Sequence, residues 1–236
     1  MVHINMPTIH KPYQELECAN YDEINHDIMI YLHTRTALMQ HDPNEPLPYV
    51  NFVDTRDFAK HNPKLMKFFS GLKIVLQNVY YAVAYKTTDE NHPNPFKNFQ
   101  NPFASNLVPI HLDCPPVQWK INWPVLNMQN TGTRFYLPKD PGHTVIQYLQ
   151  RSGVPGSKDN DDYHLPYEPF EESHRHVFGP PILMNGLIPH DVWFNPDCAM
   201  PRIGLQMMFF REPRHLLADD CVIFDQDYID QLTNLA

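Results

Sequence analysis

Strict alternation marks the middle of this chain. In VQWKINWPVLN (117–127), Trp119, Ile121 and Trp123 fall on one parity and Lys120, Asn122 and Pro124 on the other. Side chains on a strand alternate between faces, so this segment predicts a strand with one apolar and one polar face. Apolar runs bounded by turn residues predict further strands at LVPIHLD (107–113), GTRFYL (132–137), HTVIQYLQ (143–150), HVF (176–178), PPILMN (180–185), IPHDVWF (188–194), PRIGLQMMFFRE (201–212) and CVIF (221–224).

Helical spacing is concentrated near the two ends. HNPKLMKFFSGL (61–72) places Leu65, Met66, Phe68, Phe69 and Leu72 on one face, with Asn62 to cap, Pro63 at the first helical position and Gly71 to stop. Asp54 and Thr55 predict the start of a shorter helical turn, and DQDYIDQLTNLA (225–236) a terminal helix. KIVLQNVYYAVAYKT (73–87) reads as a strand, while IMIYLHTRTALMQ (28–40) fits a strand or a short helix equally. HDPNEPLP (41–48) and the Asn- and Pro-rich stretch 89–106 are loops, the latter long enough for a functional lid. The polar segment 151–169 is expected to be exposed and mobile. Thus 1–106 forms an N-terminal support, 107–212 a β core and 213–236 a tail, all in one domain.

Composition narrows the function. With 24 prolines among 236 residues, long helical bundles are excluded in favour of short elements. A net charge of −9 does not support a broad nucleic-acid-binding face, which needs clustered Lys and Arg, and leaves room only for a local groove. MVHINMPTIHKPYQE (1–15) has no apolar run, so a secretory leader is not expected, nor is a membrane span, since no apolar run approaches about 20 residues. Four cysteines, Cys18, Cys114, Cys198 and Cys221, occur without a C-x-x-C pair, which predicts free thiols in a reducing cytoplasm.

The chemistry centres on His111-Leu112-Asp113. Two residues apart on a strand, the imidazole and the carboxylate point the same way and suit one ion. His190 lies on a later predicted strand, and Arg202 follows it by twelve residues. Two histidines and one carboxylate form the facial triad of non-haem iron(II) sites. Three positions of an octahedral ion stay open, enough for a chelating 2-oxo acid and dioxygen. A planar guanidinium suits the far carboxylate of such an acid.

The order His111-x-Asp113, His190, Arg202 resembles that of the 2-oxoglutarate- and iron(II)-dependent dioxygenases. WKINWPVLNMQNTGTRFY, LMNGLIPHDVWF and PRIGLQMMFF resemble the corresponding segments of small microbial and viral members, over residues 107–212. That resemblance implies a double-stranded β-helix, a jelly-roll or cupin-like core. It makes His111, Asp113 and His190 the catalytic iron ligands and Arg202 the anchor of 2-oxoglutarate. It implies consumption of O2, release of succinate and CO2, and oxidation, usually hydroxylation, of a substrate. A small-molecule or amino-acid-type substrate fits better than nucleic acid. By strand parity, Lys120, Asn122 and Gln206 are further co-substrate contacts, with Thr133 and Tyr136 on the next strand and Asn185 near the mouth. Trp193 and Phe194 are expected in the core.

Three other readings compete. His174-Arg175-His176 has the spacing of a cupin-type metal pair, but no further ligands follow, so exposed histidines are expected. Cys114 after Asp113 suggests a cysteine hydrolase, yet two prolines follow and no helix start accompanies it. A non-catalytic β-barrel would need only the apolar pattern, not four polar residues in order.

Overall fold

A computed structural model describes residues 11–36, 49–84, 110–113, 117–152, 163–195, 197–199 and 202–234. The expected loops 41–48 and 89–106, residues 153–162 of the polar segment, and Cys114 lie outside these.

The architecture is mainly β, as the alternation predicts, in two antiparallel sheets. The larger combines β1 (Tyr13–Glu15), β9 (Ile182–Asn185), β5 (Trp119–Leu126), β11 (Arg202–Phe209), β3 (Leu76–Ala84) and β2 (Tyr49–Val53), in that spatial order. The smaller orders β7 (Tyr163–His164), β4 (His111–Leu112), β10 (His190–Phe194), β6 (Thr131–Pro138) and β8 (Phe170–Val177).

One face of the larger sheet is apolar and carries the helices. Trp119, Ile121 and Trp123 of β5 join Ile203, Leu205 and Met207 of β11 in a buried cluster with α1 (Tyr21–Arg35), α2 (Thr55–His61) and α3 (Pro63–Gly71). Of the ambiguous 28–40 segment, residues 28–35 are the second half of α1, and 37–40 lie outside the described residues. Ile24, Ile28, Tyr31 and Leu32 are buried at helical spacing, a stripe that begins before the ambiguous window. The Tyr21 hydroxyl donates to the Pro124 carbonyl at 2.5 Å and Asn25 Nδ2 to Val125 at 2.7 Å, which pins α1 on β5. Asp54 caps α2 by accepting from the Arg56 and Asp57 amides. On α3, Leu65 and Phe69 are buried, and Phe69 meets Phe209 edge-on at 5.6 Å.

Three expectations fail for identifiable reasons. HTVIQYLQ is not a strand but α4 (Val145–Ser152). Thr144 Oγ1 accepts from the Gln147 amide, and Gln147 Oε1 accepts from the Thr144 amide at 2.8 Å. This reciprocal cap starts a helix whose Val145, Ile146 and Leu149 are buried. CVIF forms only an isolated bridge between Cys221 and Lys11, because the chain after Lys11 runs on as β1 to pair with β9. The pair His174 and His176 is not exposed: it lies within β8, and His176 is 2% accessible. The tail helix does form, as α5 (Gln226–Thr233), capped by Asp225. Among the described residues no helix is long and apolar enough to cross a membrane.

Candidate metal centre

The remaining face of the larger sheet points at the smaller one; Met184 and Ile182 of β9 make it apolar beside a group of mostly polar residues on β5 and β11. On β5 these are Lys120 and Asn122, and on β11 Arg202, Gly204 and Gln206; Gln206 pairs with Asn122 in register. From the smaller sheet come His111 on β4 and His190 on β10, directly paired across the ladder. Their rings lie 4.3 Å apart. Asp113 follows β4 and turns the same way. Ligand atoms of His111, Asp113 and His190 all lie within 4.8 Å of one another. The geometry thus brings together three residues separated by up to 79 positions in the chain (190 − 111).

His190 and Asp113 are each held in a state suited to a cation. His190 Nδ1 meets the Ile188 carbonyl at 2.8 Å. A carbonyl only accepts, so Nδ1 carries the hydrogen and Nε2 presents its lone pair inward. Burial, reinforced by the neighbouring His111 ring, drives the His190 pKa down to about 3 and keeps the ring neutral. Burial pushes the Asp113 carboxyl up, but the Lys120 ammonium and the two imidazoles outweigh it and hold it below the usual carboxylate range. Asp113 Oδ1 receives Lys120 Nζ at 2.6 Å. Oδ2 is buried, has no hydrogen-bond partner among the described residues, and stands 3.6 Å from His190 Nε2. An orphaned carboxylate oxygen between two imidazoles is the donor set of a divalent transition metal.

Gly186 makes the space for that carboxylate. Its carbonyl accepts from the Asp113 amide at 2.9 Å, and a Cβ on it would stand 2.2 Å from Asp113 Oδ2. Gly186→Ala is therefore expected to displace the carboxylate and weaken Co(II) binding by about 10–100-fold, the usual cost of disturbing a ligand's support. Calorimetric titration checks it; unchanged affinity would show that Asp113 is not a ligand.

Arg202 is the second unusual group. It is 5% accessible, and burial lowers its pKa to about 10, so it stays charged at neutral pH. Its Nε donates to Thr131 Oγ1 at 3.1 Å, and its guanidinium sits 5.1 Å from the Phe178 ring centre. Among the described residues it forms no ion pair with a carboxylate. A desolvated charge without a counter-charge is costly, which marks a place for an anion.

The other predicted residues divide. Thr133 shares the inward face of His190, and its hydroxyl is buried without a partner among the described residues. Asn122 is buried beside Met184, its amide 3.8 Å from the sulfur. Gln206 Oε1 accepts from both Lys120 and Tyr80. Tyr136 is not brought to the centre. Its hydroxyl donates to Asp191 Oδ2 at 3.1 Å, and Asp191 leaves β10 on the face opposite His190. There Arg134 binds Asp191 through Nε at 2.8 Å and Nη2 at 2.5 Å, and Tyr167 donates at 2.7 Å. Burial and the Asp191 charge push both phenols far up, so they remain donors. Asn185 is not at a mouth either. It is fully buried, donating to the Val222 carbonyl at 3.0 Å and accepting from the Leu187 amide at 3.0 Å, which ties a turn. Trp193 is half-buried under Arg175 rather than in the core, and the Phe194 side chain lies outside those described. Tyr80, Thr131 and Gly186 were not legible as site residues: nothing but strand pairing and close approach marks them.

Fold and centre together define a mainly β protein with a buried group of two imidazoles and one carboxylate suited to a divalent metal. No family model matches the chain, and no curated protein sequence does. Among solved structures, a Pseudomonas putida prolyl-4-hydroxylase is similar at 13% identity over 86% of this chain and 94% of that one, with a TM-score of 0.38. A Cellulomonas parahominis L-ribose isomerase is similar at 12% identity over 89% and 91%, with a TM-score of 0.32. A Geodermatophilus obscurus L-ribose isomerase shows 14% identity over 89% and 91%, with a TM-score of 0.30. Similarity of this degree specifies no activity for this chain.

Proposed function

We propose that this protein is a non-haem iron(II) oxygenase using 2-oxoglutarate, built on a double-stranded β-helix. One observation carries this most: His111, Asp113 and His190 converge inside the fold while a buried guanidinium, Arg202, with no ion-pair partner among the described residues, stands on the facing wall. Iron(II) with 2-oxoglutarate and O2 supplies oxidative decarboxylation, giving succinate and CO2, coupled to oxidation of a substrate C–H bond. The chain's own tasks are to hold the ion through two imidazoles and one carboxylate oxygen, to orient the co-substrate, and to exclude water. Arg202, steadied by Thr131, receives the distal carboxylate. Thr133 and Asn122 line the space between. The triad histidines are only 7% and 3% accessible, so the substrate is a small molecule, an amino acid or a side chain that reaches inward.

Anaerobic addition of iron(II) and 2-oxoglutarate is expected to give a weak visible absorption band, lost in His111→Ala. A wild type with neither the band nor any succinate formation would overturn the proposal. Arg202→Met adds a second test. Losing a charge-assisted pair costs about 1.5–3 kcal/mol, or roughly 10–100-fold in 2-oxoglutarate affinity. Stability of the ligand-free variant is expected not to fall, because the charge removed has no counter-charge among the described residues. A lower melting temperature with unchanged 2-oxoglutarate binding would make Arg202 structural instead.

A further inference from the structure

Lys120 occupies a place that needs explaining. It is 3% accessible, and its ammonium lies 2.6 Å from the carboxylate of a metal-ligand candidate. A cation there opposes the ion that the same carboxylate would bind. Acceptors around its N–H groups among the described residues include Asp113 Oδ1, Gln206 Oε1 and, at 3.3 Å, the Tyr80 hydroxyl. Tyr80 also donates to Gln206, so the lysine is locked from the β3 side. The consequence falls on Asp113. Oδ1 is held by the ammonium, and only Oδ2 remains open, beside His190 Nε2.

We propose that Lys120 is a positioning residue that restricts Asp113 to one-oxygen ligation, with Tyr80 and Gln206 fixing the lysine. This rests on the metal-binding reading above. One-oxygen ligation leaves three of six positions for co-substrate and oxidant; a two-oxygen carboxylate would take one of them.

Cobalt(II) is the probe, read by its visible d–d spectrum and by titration. Lys120→Met is expected to bind Co(II) about tenfold more tightly, because a repelling charge is gone and Oδ1 is released to chelate. The cobalt form is expected to bind 2-oxoglutarate about tenfold more weakly, with a changed d–d spectrum. A residue that merely supports the fold would weaken the metal instead. Tyr80→Phe, which leaves the lysine in place, is expected to shift both affinities in the same directions by about threefold, and decides the matter should Lys120→Met not fold. Co(II) affinity that is unchanged or lower in the folded variants overturns the role of Lys120 alone. Wild-type Co(II) binding that survives His190→Ala undamaged overturns the metal centre itself and this role with it.

Discussion

Asp113→Ala is expected to lose more than about 100-fold in iron(II) affinity, beyond the 10–100-fold typical when only a ligand's support is removed. The same change is expected to lower the stability of the metal-free protein by about 3–5 kcal/mol, since it takes the Asp113 charge away from the buried Lys120 ammonium. The pair is well screened from water, with Lys120 3% and Asp113 15% accessible. Both effects follow from one carboxylate serving two neighbours: Oδ1 neutralises Lys120, and Oδ2 faces the imidazoles. Asp113→Ala with Lys120→Met should recover most of the stability and none of the metal binding. Urea denaturation and metal titration separate the two quantities. Full iron affinity in Asp113→Ala would remove the carboxylate from the centre.

The largest effect on stability alone is expected behind the metal site. Arg134→Met should cost about 3–5 kcal/mol, or roughly 6–20 °C in melting temperature for a chain of this size. Arg134 and Asp191 are 2% and 0% accessible, and removal of the guanidinium leaves Asp191 with only two phenol donors. Burial already pushes the Asp191 carboxyl up, against the pull of Arg134. Without Arg134 its folded pKa rises further above the unfolded value. The variant is therefore expected to be relatively better off below the unfolded carboxylate pKa and to lose stability as pH rises through the folded one. Asp191→Asn in the same background should restore most of the loss at neutral pH. Melting curves across pH check this; a loss independent of pH would mean that the guanidinium acts by packing. Because Asp191 adjoins His190 on β10, Arg134→Met is also expected to blunt metal binding, though less than loss of a ligand does.

Much of the centre was legible because it uses the two-residue period of strands. His111 and Asp113 share a face for that reason, and the polar parity of Lys120 and Asn122 led to the interior wall. Gln206 is legible on the same rule, by its parity with Arg202, which the order of motifs and the family resemblance single out. The rule also shows why Tyr136 is elsewhere: it is three positions from Thr133, so the two cannot share a face on a regular strand. The register shift between Phe135 and Tyr136 does not reverse this, since Tyr136 reaches Asp191 on the outer side. Lys120 was assigned to a bound carboxylate, and the partner is the chain's own Asp113, a contact between sheets that no local pattern encodes. Tyr80 read only as a strand residue; its place beside Gln206 needs the β3–β11 register. In the fold, β-branched Val145 and Ile146 suggested a strand, whereas Thr144 and Gln147 at capping-box spacing carried the stronger signal. The exposed charged residues Glu172 and Arg175 of β8 mask the burial of His176, which lies 4.8 Å from the Tyr13 ring.

Anomalous diffraction at the iron edge, from crystals grown anaerobically with iron(II) and 2-oxoglutarate, tests the central assignment most directly. A single peak is expected about 2.0–2.3 Å from His111, Asp113 Oδ2 and His190, with the co-substrate's far carboxylate on Arg202. Iron bound at other residues, or no ordered iron with the three side chains placed as they are here, would contradict it.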